Sequence, residues 1–94
     1  MPIFLIERNF AEQLEATKDG ASAINQINDD VGVNWLISFL SADKKKTYCL
    51  YEAPSVEAIR EAAMRAGLPA DVIIEVGAVH RSGEVRDVDP SMFA

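Results

Sequence analysis

An α+β domain of order strand–helix–strand–strand–helix–strand is what this sequence predicts, and three observations carry it. Four short blocks rich in β-branched and aromatic residues, at 3–6, 33–41, 46–52 and 71–79, read as strands. Two segments between them carry apolar residues at spacings of three, four and seven, as amphipathic helices do. Apolar residues make up 49% of the 94-residue chain, enough for one core and inconsistent with disorder.

The elements follow in order. Ile3 to Ile6 form a buried strand that ends near Arg8. Asn9 then offers an N-cap, with Glu12 in the capping-box position. Phe10, Leu14, Thr17, Ala21, Ile24 and Val31 share one helical face, which the Asp19-Gly20 pair weakens and Gly32 ends. Val33 to Ser41 is the second strand. Its alternation sends Val33, Trp35, Ile37 and Phe39 one way and Asn34, Leu36, Ser38 and Leu40 the other. Ala42 to Lys45 has the length of a hairpin loop, and Lys46 to Glu52 is the third strand. Pro54 breaks the pattern, Ser55 caps a second helix over Val56 to Ala66, and Gly67 with Pro69 stops it. Val56, Ile59, Ala63 and Ala66 form its buried stripe. Asp71 to Val79 is the fourth strand. Residues 1–79 make the domain and 80–94 a polar tail with a late Met92-Phe93. This order is the ferredoxin-like βαββαβ arrangement. Right-handed crossovers place both helices on one face of a four-stranded antiparallel sheet.

The sheet's second face should turn polar if it meets water. With Ser41 opposite Lys46, Phe39 faces Tyr48 and Ile37 faces Leu50 on one side, which suits the helices. Leu40 with Thr47, Ser38 with Cys49 and Leu36 with Tyr51 make a mixed other side. Apolar residues stand on both sides of every strand, and wetting each forfeits ~1.5–3 kcal/mol. A homodimer paired through the sheet face, a dimeric α/β barrel, is the expected remedy. The competing cover is the tail, for which Arg81 to Pro90 is a poor lid.

Nine basic against fifteen acidic residues give a net charge of -6. That balance opposes nucleic acid and anionic membrane surfaces as partners. Cys49 is the single cysteine, which excludes an intrachain disulfide and fits a reduced, cytoplasmic setting. The amino terminus lacks the pattern of a signal peptide, and no stretch approaches ~20 apolar residues.

The mixed face is the expected place of a binding site. Ser38, Thr47, Cys49 and Tyr51 share it, and Glu7 and Glu75 join if their rows fall on the same side. Enclosed carboxylates would have shifted pKa values useful for acid/base work or hard metals. The plainer alternative pairs Glu7 and Glu75 with Arg8, Lys46 or Arg81 at the sheet rim. His80, the only histidine, is the candidate ligand for a divalent metal such as nickel, with Glu75 as its partner. A bulge would be needed to bring His80 and Glu75 to one side. Cys49 has no histidine near it in sequence and reads as a small buried apolar group, not a nucleophile. No catalytic residue is assigned.

Val33-x-Trp35-x-x-Ser38, Asp43-x-x-Lys46-Thr47-x-Cys49-x-Tyr51-x-Ala53-Pro54, Glu57-Ala58-Ile59-Arg60 and Gly67-Leu68-Pro69-Ala70-Asp71-x-Ile73-x-Glu75-Val76 together resemble a family of small ferredoxin-like proteins. Its named members are called nickel-binding or nickel-responsive. The resemblance covers residues 1 to 79, and its motif residues here are Glu7, Trp35, Ser38, Lys46, Thr47, Cys49, Tyr51 and Glu75. It implies a dimeric α+β protein that binds a metal ion, without an established reaction. The expected function is a small dimeric binding protein for a divalent metal or a small molecule. The alternatives are a cofactor-free dimeric α/β-barrel enzyme of monooxygenase or isomerase type, by fold analogy alone, and an interaction module without ligand.

Overall fold

The computed structural model of the chain describes residues 1–93. Its elements are β1 (Ile3–Asn9), α1 (Lys18–Val31), β2 (Asn34–Leu40), β3 (Lys46–Glu52), α2 (Val56–Ala66), β4 (Val72–Val76), β5 (Ala78–Arg81) and β6 (Glu84–Asp87), then a 3-10 turn at Pro90–Phe93. β1 to β4 form one sheet in the order β2-β3-β1-β4. Every neighbouring pair is antiparallel. This is the ferredoxin-like plait that the order of elements predicts.

α2 matches its sequence signals. Ser55 accepts a hydrogen bond from the Ala58 N–H, and Gly67 closes the helix at φ 68°, a left-handed conformation that glycine adopts without strain. α1 starts later than its periodicity suggests. Thr17, not Asn9, is its N-cap, accepting from the Gly20 N–H. Asn9 instead donates its backbone N–H to Asp71 Oδ2 at 2.7 Å, tying β1 to the start of β4. Residues 10–17 form a loop whose Phe10 and Leu14 N–H groups donate to the carbonyls of Lys45 and Lys44 in the β2–β3 turn. Backbone partners outside a helix thus take the donors that a first turn would have used.

The hairpin register is as expected from Leu40–Thr47 to Ile37–Leu50. It then slips. Trp35, not Leu36, faces Tyr51, and Leu36 is the extra residue of a β-bulge. A bulge reverses the alternation beyond it, so Trp35 leaves the side of Ile37 and Phe39 and joins that of Ser38 and Tyr51.

This decides which face the helices cover, and it overturns the sequence expectation. The mixed side, not the uniformly apolar one, lies beneath α1 and α2. Phe4 and Ile6 of β1 and Cys49 and Tyr51 of β3 form one buried cluster with Val33, Ala53, Ile59 and Ala62. Trp35 and Ile73 pack against it. Once the bulge adds Trp35 and the central and edge strands add Phe4, Ile6 and Ile73, this side is apolar enough for a core.

The opposite, open face holds three rows across the sheet: Asn34-Glu52-Ile3-Val76, Ile37-Leu50-Leu5-Ile74 and Phe39-Tyr48-Glu7-Val72. The fourth strand ends at Val76, and Gly77 separates it from the β5–β6 hairpin, so Val79 and His80 lie outside the main sheet. The tail is therefore structured through residue 93; residue 94 lies outside the described residues. The tail departs from one sheet edge at Val76, beside Ile3, and its 3-10 turn lies against β2 at the other edge. The helices occupy the other face, so the tail crosses the open one. Exposure there rises away from the tail, from Ile3 at 3% to Ile74 at 53% and Phe39 at 60%. The tail is a partial lid, where the sequence argued against one.

Candidate functional site

The late start of α1 leaves a cavity of about 370 Å³ between that helix and the sheet. Its floor is polar and aromatic: Trp35, Ser38 and Leu40 from β2, Thr47, Cys49 and Tyr51 from β3, and Arg8 from β1. The 10–17 loop, the first two turns of α1 and Leu68 enclose it. The volume and mixed lining suit a small organic ligand.

Tyr51 and Trp35 stack with ring planes 5° apart and centroids 6.2 Å apart. The Trp35 indole N–H donates to Ser38 Oγ at 2.7 Å. This leaves the Ser38 hydroxyl proton free to serve another acceptor. Arg8 is only 4% exposed. A guanidinium N–H of Arg8 donates to the Pro69 carbonyl, and the group lies 5.8 Å from the centre of the Tyr51 ring. Among the described residues no carboxylate pairs with it. Among the described residues the buried Thr47 hydroxyl, in a residue 7% exposed, has no hydrogen-bond partner. Asn28, Arg8 and Tyr51 also line a void of about 10 Å³ behind the cavity, about the room one water needs.

Burial holds the Tyr51 hydroxyl above its ordinary pKa of 10.0, partly opposed by the positive charge of Arg8. The folded protein thus keeps this proton after the unfolded chain begins to lose it. The resulting stability is complete below about pH 10 and falls as pH rises through the folded pKa. An ultraviolet phenolate titration of the parent and Tyr51→Phe should differ by one group that ionises above 10. Identical titration curves would refute the assignment.

The structure brings together Ser38, Cys49 and Tyr51, with Thr47 beside them. Glu7 does not join them. Its parity puts it on the open face, where it meets Lys46 Nζ at 3.8 Å, the rim pairing that the sequence offered as its alternative. Glu75 shares the row of Phe4 and Tyr51, but on the exposed edge strand β4. It does not line the cavity. His80 pairs with Val85 in the separate hairpin and does not line it either. Among the described residues no group of three or more His, Cys, Asp or Glu is placed to hold a metal ion. Arg8 was missed as a site residue because the sequence presents it as a counter-charge for the glutamates. Its shared parity with Phe4 and Ile6 was the available signal.

The profile of a family described as "Nickel responsive protein SCO4226-like" matches residues 4–76. The chain belongs to this family. The match runs from β1 to the end of β4, so the β5–β6 hairpin and the 3-10 turn lie beyond it. A similar solved structure comes from within the family, the crystal structure of SCO4226 from Streptomyces coelicolor A3(2). It is 28% identical with a TM-score of 0.62, over 79% of this chain and 94% of that one. No curated protein matches the chain. Among the described residues no helix is long and apolar enough to cross a membrane.

Proposed function

We propose that this family member is a small binding protein that takes an organic molecule into the cavity beneath α1. The observation that carries this reading is the polar floor of Ser38, Thr47 and Tyr51 within a 370 Å³ apolar enclosure. Buried polar groups are normally paired, and here a hydroxyl waits for a partner. The single cysteine, buried and free, fits a cytoplasmic setting. No histidine lines the cavity to activate Cys49, which favours binding over nucleophilic chemistry. The neutral dye N-phenyl-naphthylamine brightens in apolar sites and tests the reading. Its emission should rise saturably with the parent protein and stay low with Ala21→Trp, which fills the cavity from α1. Equal brightening with both proteins would sink the reading.

The name of the family supports a second reading, a nickel site. The described residues of one chain do not fit it: no three candidate donors converge. His80 and Glu75, the ligands expected from sequence, stand in different sheets, so an ion held there would need donors from a second copy. A second copy also suits the open face. We propose a two-fold dimer through the rows farthest from the tail, where Phe39, Ile74 and Val72 are exposed.

A further inference from the structure

The ligand class follows from the balance of donors and acceptors around the cavity, and this step rests on the binding reading above. Arg8 carries five N–H donors; the Pro69 carbonyl takes one and the Tyr51 hydroxyl oxygen is a second acceptor beside the guanidinium, which leaves donors over. Its residue is 4% exposed, so water does little of the remaining solvation. The Thr47 hydroxyl opposite it across the β1–β3 ladder has a proton and no acceptor. Ser38 accepts from Trp35 and keeps its own proton to give. Glu15 is the one carboxylate lining the cavity, and it is exposed and unpaired with Arg8. The enclosure therefore has surplus donors and an uncompensated positive charge. A buried cation is tolerated when something negative and hydrogen-bonding completes it. The planar Trp35-Tyr51 stack supplies an aromatic wall beside these donors.

We infer that the cavity selects an anionic, carboxylate-bearing molecule with a flat apolar body, its carboxylate received by Arg8 and Thr47. A guanidinium and a hydroxyl match the two oxygens of a carboxylate, and such charge-assisted bonds are the strong ones. A neutral amide of the same shape offers one acceptor and brings two further donors into a site that already has too many.

Calorimetry with naphthoate and naphthamide tests the inference on the intact chain. The parent should bind the acid about tenfold or more tightly than the amide. Thr47→Val and Arg8→Lys should each shrink that ratio, Arg8→Lys because an ammonium lacks the fork. Arg8→Met should abolish it; if that variant fails to fold, the acid-to-amide ratio of the parent and of Thr47→Val decides. Equal affinities for acid and amide would overturn the anion preference and leave the cavity reading standing. A preference unchanged in the variants would overturn the roles of Arg8 and Thr47. Absence of binding by both compounds, with no dye uptake, would overturn the inference together with the reading beneath it.

Discussion

Ile6→Ala is expected to destabilise the protein by about 2–5 kcal/mol, the range for deleting a fully buried isoleucine to alanine. Ile6 has no exposed surface. It stands in the middle of β1, between Cys49 of β3 and Ile73 of β4, and in the cluster that contains Ile59 and Ala62 of α2. Ala53 and Ala62 of the same cluster are already small and cannot fill the space left behind. Domains of this size are stable by roughly 5–15 kcal/mol, so the loss consumes much of the margin. At about 4–8 °C per kcal/mol for such a chain, the melting temperature should fall by at least about 8 °C. Leu5→Ala is the matched control. Leu5 is half-buried on the open face, and the same deletion there should cost distinctly less. A larger loss for Leu5 than for Ile6 would mean that the helices cover the other side of the sheet.

Phe39→Glu combined with Ile74→Glu should convert the proposed dimer to monomers. The two residues lie on opposite edge strands of the open face, at 60% and 53% exposure in the single chain. A two-fold axis would bury each of them twice. Full burial of such a side chain is worth ~1.5–3 kcal/mol, and a charge put in its place is not released from water without a partner. The dissociation constant should therefore rise at least about a hundredfold. Sedimentation at micromolar concentration should show the parent at twice 10.3 kDa and the double variant at the single mass. A parent that sediments as one chain would end the dimer proposal, and the two-chain nickel site with it. The cavity beneath α1 would be untouched, because every residue that lines it belongs to one chain.

The local elements were largely legible, because their signals act over a few residues. Ser55 and Gly67 bracket α2 where capping chemistry places them, and the hairpin pairs from Leu40–Thr47 to Ile37–Leu50 follow from loop length and alternation. The failures have one origin. The true start of α1 depends on Phe10 and Leu14 finding carbonyl partners in a turn about thirty residues away. The face taken by Trp35 depends on a bulge at Leu36, which alternation by itself does not announce. Half of the site was visible as Ser38, Cys49 and Tyr51; Arg8 was not, because its role depends on which side of β1 meets the helices.

From residue order alone come the βαββαβ plan, the second helix with both its caps, the hairpin register as far as Ile37–Leu50 and the grouping of Ser38, Thr47, Cys49 and Tyr51. These rest on spacing, handedness and steric preference, which neighbouring residues decide among themselves. Tertiary structure alone decided that this polar group lies under the helices, that Glu7 lies away from it, and that Arg8 is sealed beside Thr47 without a counter-charge. The reason is that a strand's alternation defines two faces but does not say which is inside. That choice is made by the summed packing of all four strands against α1 and α2.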